Sequence, residues 1–222
     1  MLAVGRAQEL LIVLEEYISK GFIDKVPIFI DGLISEATAI HTANPDFLSN
    51  DLREKILHQG KNPFLSDYFE TVSAKEERLD IIKGGPCIIM ATSGMLIGGP
   101  SVQYLRALAS DSKNSLIFVS YQVSGTLGNR ILRGFREFQY INTKGRTQLV
   151  KMNLKVFILE GFSGHSSRSQ ISQFLRRIQP RPKSIIVNHG EESKAISLST
   201  MIHKKLRKST RAPKNLETLF LK

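Results

Sequence analysis

The chain has 222 residues, 41% of them hydrophobic and 23% charged, which is enough for one large domain or two small ones with apolar cores. No run approaches the roughly 18 uninterrupted apolar residues of a membrane-spanning helix, because residues 10–14 meet Glu15 and Glu16 at once, and no charged leader precedes Arg6. The expectation is a cytoplasmic protein with no membrane partner. Lys and Arg number 31 against 20 Asp and Glu, a net charge of +11 that favours a polyanionic partner, nucleic acid first.

Strand-like and helix-like segments alternate along the chain. Residues 6–20 carry apolar side chains at helical spacing, and residues 26–30 read as a buried strand ending at Asp31-Gly32. A short helix follows from about residue 34. Ser49-Asn50-Asp51 is a cap for a helix running to His58, and residues 74–83 form another. Residues 87–91 are a strand holding the single cysteine, Cys87, which can form no internal disulfide and reads as a buried small hydrophobe. The Gly-rich segment 92–100 opens a helix over residues 101–110, and residues 115–119 form a further strand. In sheets of this kind ligands gather where strands end.

Past Glu137 the texture changes to short strands at 138–141, 148–150 and 156–159, with Lys144-Gly145 as the turn between the first two. A helix over 168–178, a strand at 184–187, a helix over 194–208 and a last strand at 216–221 follow. A domain boundary is expected within residues 141–150. Lys204-Lys205-Leu206-Arg207-Lys208 and Arg211 make the basic excess uneven; the segment reads either as an anion-binding stretch or as a solvated helix face.

Five histidines sort into two kinds. His165 and His189 lie in polar, Gly-containing loops just beyond strands, where an imidazole can bind metal, move a proton or meet a phosphate. His41, His58 and His203 sit in or near amphipathic helices beside charged residues and read as surface histidines. Two loops, Ser93-Gly94-Met95 and Ser124-Gly125-Thr126-Leu127-Gly128, can point backbone amides at an anion, the second with Arg130 one turn into the helix it opens. Tight turns are the other reading of their glycines. No Gly-Lys-Ser/Thr follows either loop, which disfavours a nucleotide P-loop.

Five motifs in order, Gly5-Arg6-Ala7-Gln8-Glu9, Ser93-Gly94-Met95, Ser120-Tyr121-Gln122 leading to Gly125-Thr126-Leu127-Gly128, Gly161-Phe162-Ser163-Gly164-His165-Ser166, and Asn188-His189-Gly190-Glu191, resemble the β-CASP family of metallo-β-lactamase ribonucleases. In particular they resemble the archaeal relatives of the nuclease subunit of the cleavage and polyadenylation specificity factor. The resemblance implies an α/β fold: a β-CASP domain of parallel sheet with flanking helices over residues 1–145, then the C-terminal half of a metallo-β-lactamase αββα sandwich over residues 146–222. It implies zinc-dependent hydrolysis of RNA, of the kind used in mRNA 3′-end processing and RNA decay. His165 matches a histidine that helps protonate the leaving oxygen, and His189 matches a ligand of one of two zinc ions. Ser93, Gly94, Ser163, Arg6, Gly125 and Thr126 match positions that face or hold RNA.

The family's His-x-His-x-Asp-His signature, its bridging Asp and its first acidic β-CASP motif lie upstream of Gly5-Arg6 in the family pattern, and none occurs in these residues. Two zinc ions need several nitrogen and oxygen ligands, so this chain alone should be inactive, the partner being a metal-binding N-terminal metallo-β-lactamase chain or segment. Residues 215–220 resemble an ending that contributes to dimer contacts, so a homo-oligomer is also expected. The sequence leaves two other readings: a non-catalytic RNA-binding scaffold subunit, disfavoured by the presence of both His165 and His189, and a nucleotide-binding α/β module resting on the two glycine loops.

Overall fold

A computed structural model describes residues 1–142, 145–159, 161–162 and 165–220. The chain forms two compact units, Met1–Gly164 and His165–Lys222. Both are mixed α/β with parallel strand pairs.

The first unit begins with helix α1 (Arg6–Ser19), which buries Ala7, Leu11 and Ile18 along one stripe. Strand β1 (Ile28–Asp31) leads to α2 (Ile34–Ala43) and then to α3 (Asn50–Leu57), whose first turn is closed by Ser49 Oγ accepting from the Leu52 amide at 3.4 Å. A three-residue strand not expected from the sequence, β2 (Phe69–Thr71), precedes α4 (Glu77–Lys83) and β3 (Ile88–Ala91). The three strands make a parallel sheet in the order β2-β1-β3, with Ile28 opposite both Phe69 and Ile88. Ile28, Ile30 and Met90 pack against Leu11, Ile18 and Ile34, and each such side chain taken from water contributes about 1.5–3 kcal/mol. Cys87, just before β3, is half-buried, and that burial pushes its thiol pKa up.

Helix α5 (Pro100–Leu108), strand β4 (Ser115–Phe118), helix α6 (Leu127–Leu132), the antiparallel hairpin β5 (Glu137–Ile141) and β6 (Thr147–Lys151), and strand β7 (Lys155–Ile158) complete this unit. Val102, Leu105, Phe118, Ile131, Phe138 and Leu154 form its second core. Strand β7 returns parallel to β4. Leu116 and Val156 pack against the second core, while their strand neighbours Ile117 and Phe157 lie half-exposed and opposite each other. Lys144 of the expected 144–145 turn lies outside the described residues.

A buried polar cluster ties β1 to the helices beside it. Asp31, 1% exposed, accepts from Arg78 Nε at 2.6 Å, Arg78 Nη2 at 2.9 Å and the Tyr104 hydroxyl at 2.9 Å. The hydrogen bond to Asp31 raises the pKa of Arg78. Burial first, then the same carboxylate, pushes the Tyr104 hydroxyl up.

The second unit runs α7 (Arg168–Arg177), β8 (Ser184–Ile186), α8 (Glu192–Leu206), β9 (Ser209–Arg211), with β8 and β9 parallel. Ser167 and Gln170 form a reciprocal capping box at the start of α7. Arg168 Nη2 donates to Ser197 Oγ at 3.0 Å, and Ser172 Oγ donates to Met201 Sδ at 3.6 Å. These two rungs, four residues apart on each helix, set α7 and α8 side by side and parallel. Helix α8 stops at Leu206 because Arg207 turns into the left-handed region at φ 50°, two residues earlier than its sequence suggested. The strand expected at 216–221 does not form over the described residues 216–220. Leu216 is fully exposed at φ 64° and Phe220 is 88% exposed, so neither has a sheet to join. Leu221 lies outside the described residues.

No helix among the described residues is long and apolar enough to cross a membrane.

Candidate functional site

In the first unit the two glycine loops are joined into one piece by Gln122, which the sequence placed in a motif without a role. Gln122 is 3% exposed, and its side-chain amide donates to Gly94 O at 2.9 Å and to Ser120 O at 3.0 Å. Gly128 at the start of α6 donates its amide to Met95 O at 3.3 Å, and Asn129 Nδ2 returns to Gln122 O at 3.1 Å. Gly128 has no room for a side chain, since an added Cβ would lie 1.8 Å from Gln122 Oε1. That oxygen is buried against the glycine without a hydrogen-bond partner among the described residues. The 93–96 and 122–128 segments are therefore one packed unit.

This packing decides what each expected RNA-facing residue has left to offer. The Ser93 amide donates to Gly98 O at 3.3 Å and its Oγ accepts from the Ile97 amide at 3.3 Å, so the loop closes on itself and leaves the Ser93 hydroxyl proton to donate. Gly94 is buried, and a Cβ there would come within 2.8 Å of the Met1 backbone. Thr126 caps α6 through its Oγ1, which accepts from the Asn129 amide at 3.2 Å. Gly125 is exposed at φ 88°. Arg6, half-buried at the start of α1, places one guanidinium nitrogen 3.3 Å from Val119 O, just past β4.

In the second unit both singled-out histidines lie three residues upstream of a helix: His165 before α7 and His189 before α8. Because those helices run parallel, the two loops sit at the same end of the unit. His189 is exposed, with its backbone in the left-handed region at φ 61° and its amide donating to Asn188 Oδ1 at 2.7 Å. His165 is exposed as well. Neither imidazole is engaged by a hydrogen bond or an ion pair among the described residues. The other three differ: His41 and His203 hold backbone carbonyls at 2.7 and 2.8 Å, and His58 lies 3.9 Å from Glu54. Ser163 and Gly164 lie outside the described residues.

Among the described residues no group of three or more His, Cys, Asp or Glu is placed to share a metal ion. A zinc site that included His189 would need ligands from beyond these residues.

Residues 7–131 match the model of the Beta-Casp domain, and residues 149–213 match that of the Zn-dependent metallo-hydrolase RNA specificity domain. The chain belongs to the β-CASP family. Over all of its 222 residues it is 85% identical to a protein of Lokiarchaeum sp. and 54% identical to one of Thermococcus kodakarensis, both called transcription termination factor FttA. It is 49% identical over 220 residues to the protein of that name from Methanocaldococcus jannaschii. The chain spans about a third of the length of these curated relatives, 35%, 34% and 34% respectively.

Proposed function

We propose that this chain is the C-terminal portion of a zinc-dependent RNA-processing nuclease, hydrolysing RNA phosphodiester bonds once joined to a metal-binding N-terminal portion. One observation carries the reading: two exposed imidazoles, unengaged among the described residues, stand at one end of two parallel helices, in a chain whose relatives are about three times as long. His165, in a serine- and glycine-rich loop, delivers a proton to the leaving oxygen. His189 supplies one zinc ligand through a neutral imidazole nitrogen. Arg6, Ser93, Gly94, Gly125, Thr126 and Ser163 take the RNA-contacting roles, with the packed glycine loops as a rigid support. Residues 1–145 act as the β-CASP domain and 146–222 as the closing part of the metallo-β-lactamase domain. The relatives' name, transcription termination factor, supports placing the cut near the ends of transcripts. The exposed Leu216 and Phe220 support a homodimeric contact through the C-terminal segment.

The test uses the protein carrying its metal-binding portion and a labelled RNA. His165→Ala should slow the chemical step about 10²- to 10⁴-fold with zinc content and RNA affinity little changed. His189→Ala should lower zinc occupancy together with activity. Zinc stripped by His165→Ala and retained in His189→Ala would reverse the assignment.

A further inference from the structure

The net charge of this protein is not spread over it. Residues 165–222 hold 13 of the 31 Lys and Arg but only 3 of the 20 Asp and Glu, a net +10, which leaves +1 for the first 164 residues. Of the three acids, Glu191 and Glu192 sit at the histidine end of α8, and Glu217 lies beyond β9.

The opposite end of the unit holds a concavity of about 310 Å³. It is lined by Arg176 from the last turn of α7, Arg181 from the segment before β8 and Lys208 from the turn into β9, over a floor of Leu175, Ile185 and Leu206. Among the described residues no carboxylate lines it. None of the three cations makes an ion pair among the described residues. Favourable placement near helix C-termini accounts for Arg176 and for Lys208, two residues past α8, but Arg181 belongs to neither helix. Three unpaired like charges around one hollow repel one another, and an anion bridging them relieves that repulsion.

We propose that this concavity binds the phosphodiester backbone of single-stranded RNA, at the end of the second unit away from the histidines. RNA is favoured over an acidic protein because the three charged side chains of the lining are all cationic and are set on aliphatic neighbours, a lining that suits a regularly charged backbone. The ten residues of α7 separate the two ends by about 15 Å, so the strand held here lies beyond the scissile phosphate. This deepens the RNA-binding part of the proposed function and rests on it.

The experiment measures equilibrium binding of the 222-residue chain to a fluorescein-labelled oligouridylate of about 20 nucleotides across a salt series, without metal. The triple variant Arg176→Gln, Arg181→Gln, Lys208→Gln should weaken binding at least about tenfold and flatten the log–log salt slope by about 2, since each phosphate contact on a single strand contributes about 0.7. Lys25→Gln, Lys55→Gln, Lys61→Gln, an equal charge change on exposed residues of the first unit, should stay within about threefold. Arg176→Lys with Arg181→Lys should keep the slope, and thermal unfolding confirms that each variant is folded. Loss of cleavage in the histidine variants of the protein carrying its metal-binding portion and loss of binding in the triple variant of this chain are read separately. Equal losses in the two triples would overturn the proposal, as would an unlabelled polyglutamate competing as well as RNA, or no binding by the parent chain.

Discussion

Replacing Gly128 with alanine tests whether the two glycine loops are one packed unit. The new methyl would meet Gln122 Oε1 at 1.8 Å, Gln122 Cδ at 2.8 Å and Phe118 Cε1 at 3.1 Å. Gln122 cannot swing aside freely, because its amide is tied to Gly94 O and Ser120 O and it is buried. Either the side chain gives up both bonds, at about 1 kcal/mol each, or the site is overpacked at about 1–3 kcal/mol. Alanine's better helix propensity returns about 1 kcal/mol. The net expectation is a loss of about 1 kcal/mol, read as a fall in the urea midpoint with an unchanged slope. Amide exchange in residues 93–96 should quicken, since the Gly94 carbonyl loses its partner. Gln122→Ala removes the clash along with the bonds, so the double variant Gln122→Ala, Gly128→Ala should be about as stable as Gln122→Ala alone. A Gly128→Ala cost below about 0.5 kcal/mol, or strict additivity with Gln122→Ala, would refute the reasoning.

Asp31→Ala should cost about 3–5 kcal/mol, because it strands the Arg78 guanidinium and the buried Tyr104 hydroxyl together. Asp31→Leu with Arg78→Met should recover much of that loss in the same urea titration, and a single-variant cost below about 1 kcal/mol would argue against the cluster's importance. Removing residues 214–222 should weaken self-association in sedimentation velocity, since the exposed Leu216 and Phe220 go with them; an unchanged oligomeric state would count against a C-terminal contact. The purified 222-residue chain should retain fewer than two zinc ions and should not cut labelled RNA; elemental analysis finding two tightly held ions would refute this.

What was legible in the sequence was whatever is decided locally. Ser49 announces α3 because a cap hydroxyl and its helix lie within four residues, and residues 28–31 announce a strand because an apolar run ends at Asp31-Gly32. His165 and His189 stood out by their loops, and their imidazoles, unengaged among the described residues, differ from those of His41 and His203, which hold backbone carbonyls. What escaped was set by distant pairing. Gln122 meets Gly94 across 28 residues, and Arg78 meets Asp31 across 47, so neither contact leaves a local pattern. The only hint at Asp31 was an acid closing a buried strand. Strand β9 is Ser209-Thr210-Arg211, polar and three residues long, and it exists because Ser184 to Ile186 lie beside it. Residues 215–220 show the reverse: Leu interspersed with polar residues and ending in Phe220, with no strand partner among the described residues.

The side-by-side helices of the second unit also set a ruler. With Arg168 bound to Ser197 and Ser172 against Met201, the spacing between the histidine loops and the basic end is counted in helical residues rather than held by a flexible linker. Deleting one residue from the middle of α7 would swing its upstream loop by about 100° and draw it in by about 1.5 Å, while leaving Arg181 and Lys208 where they are. Substitutions on the outer face of that helix would change neither. The geometry of this unit is thus sensitive to residue number and tolerant of residue identity along much of α7.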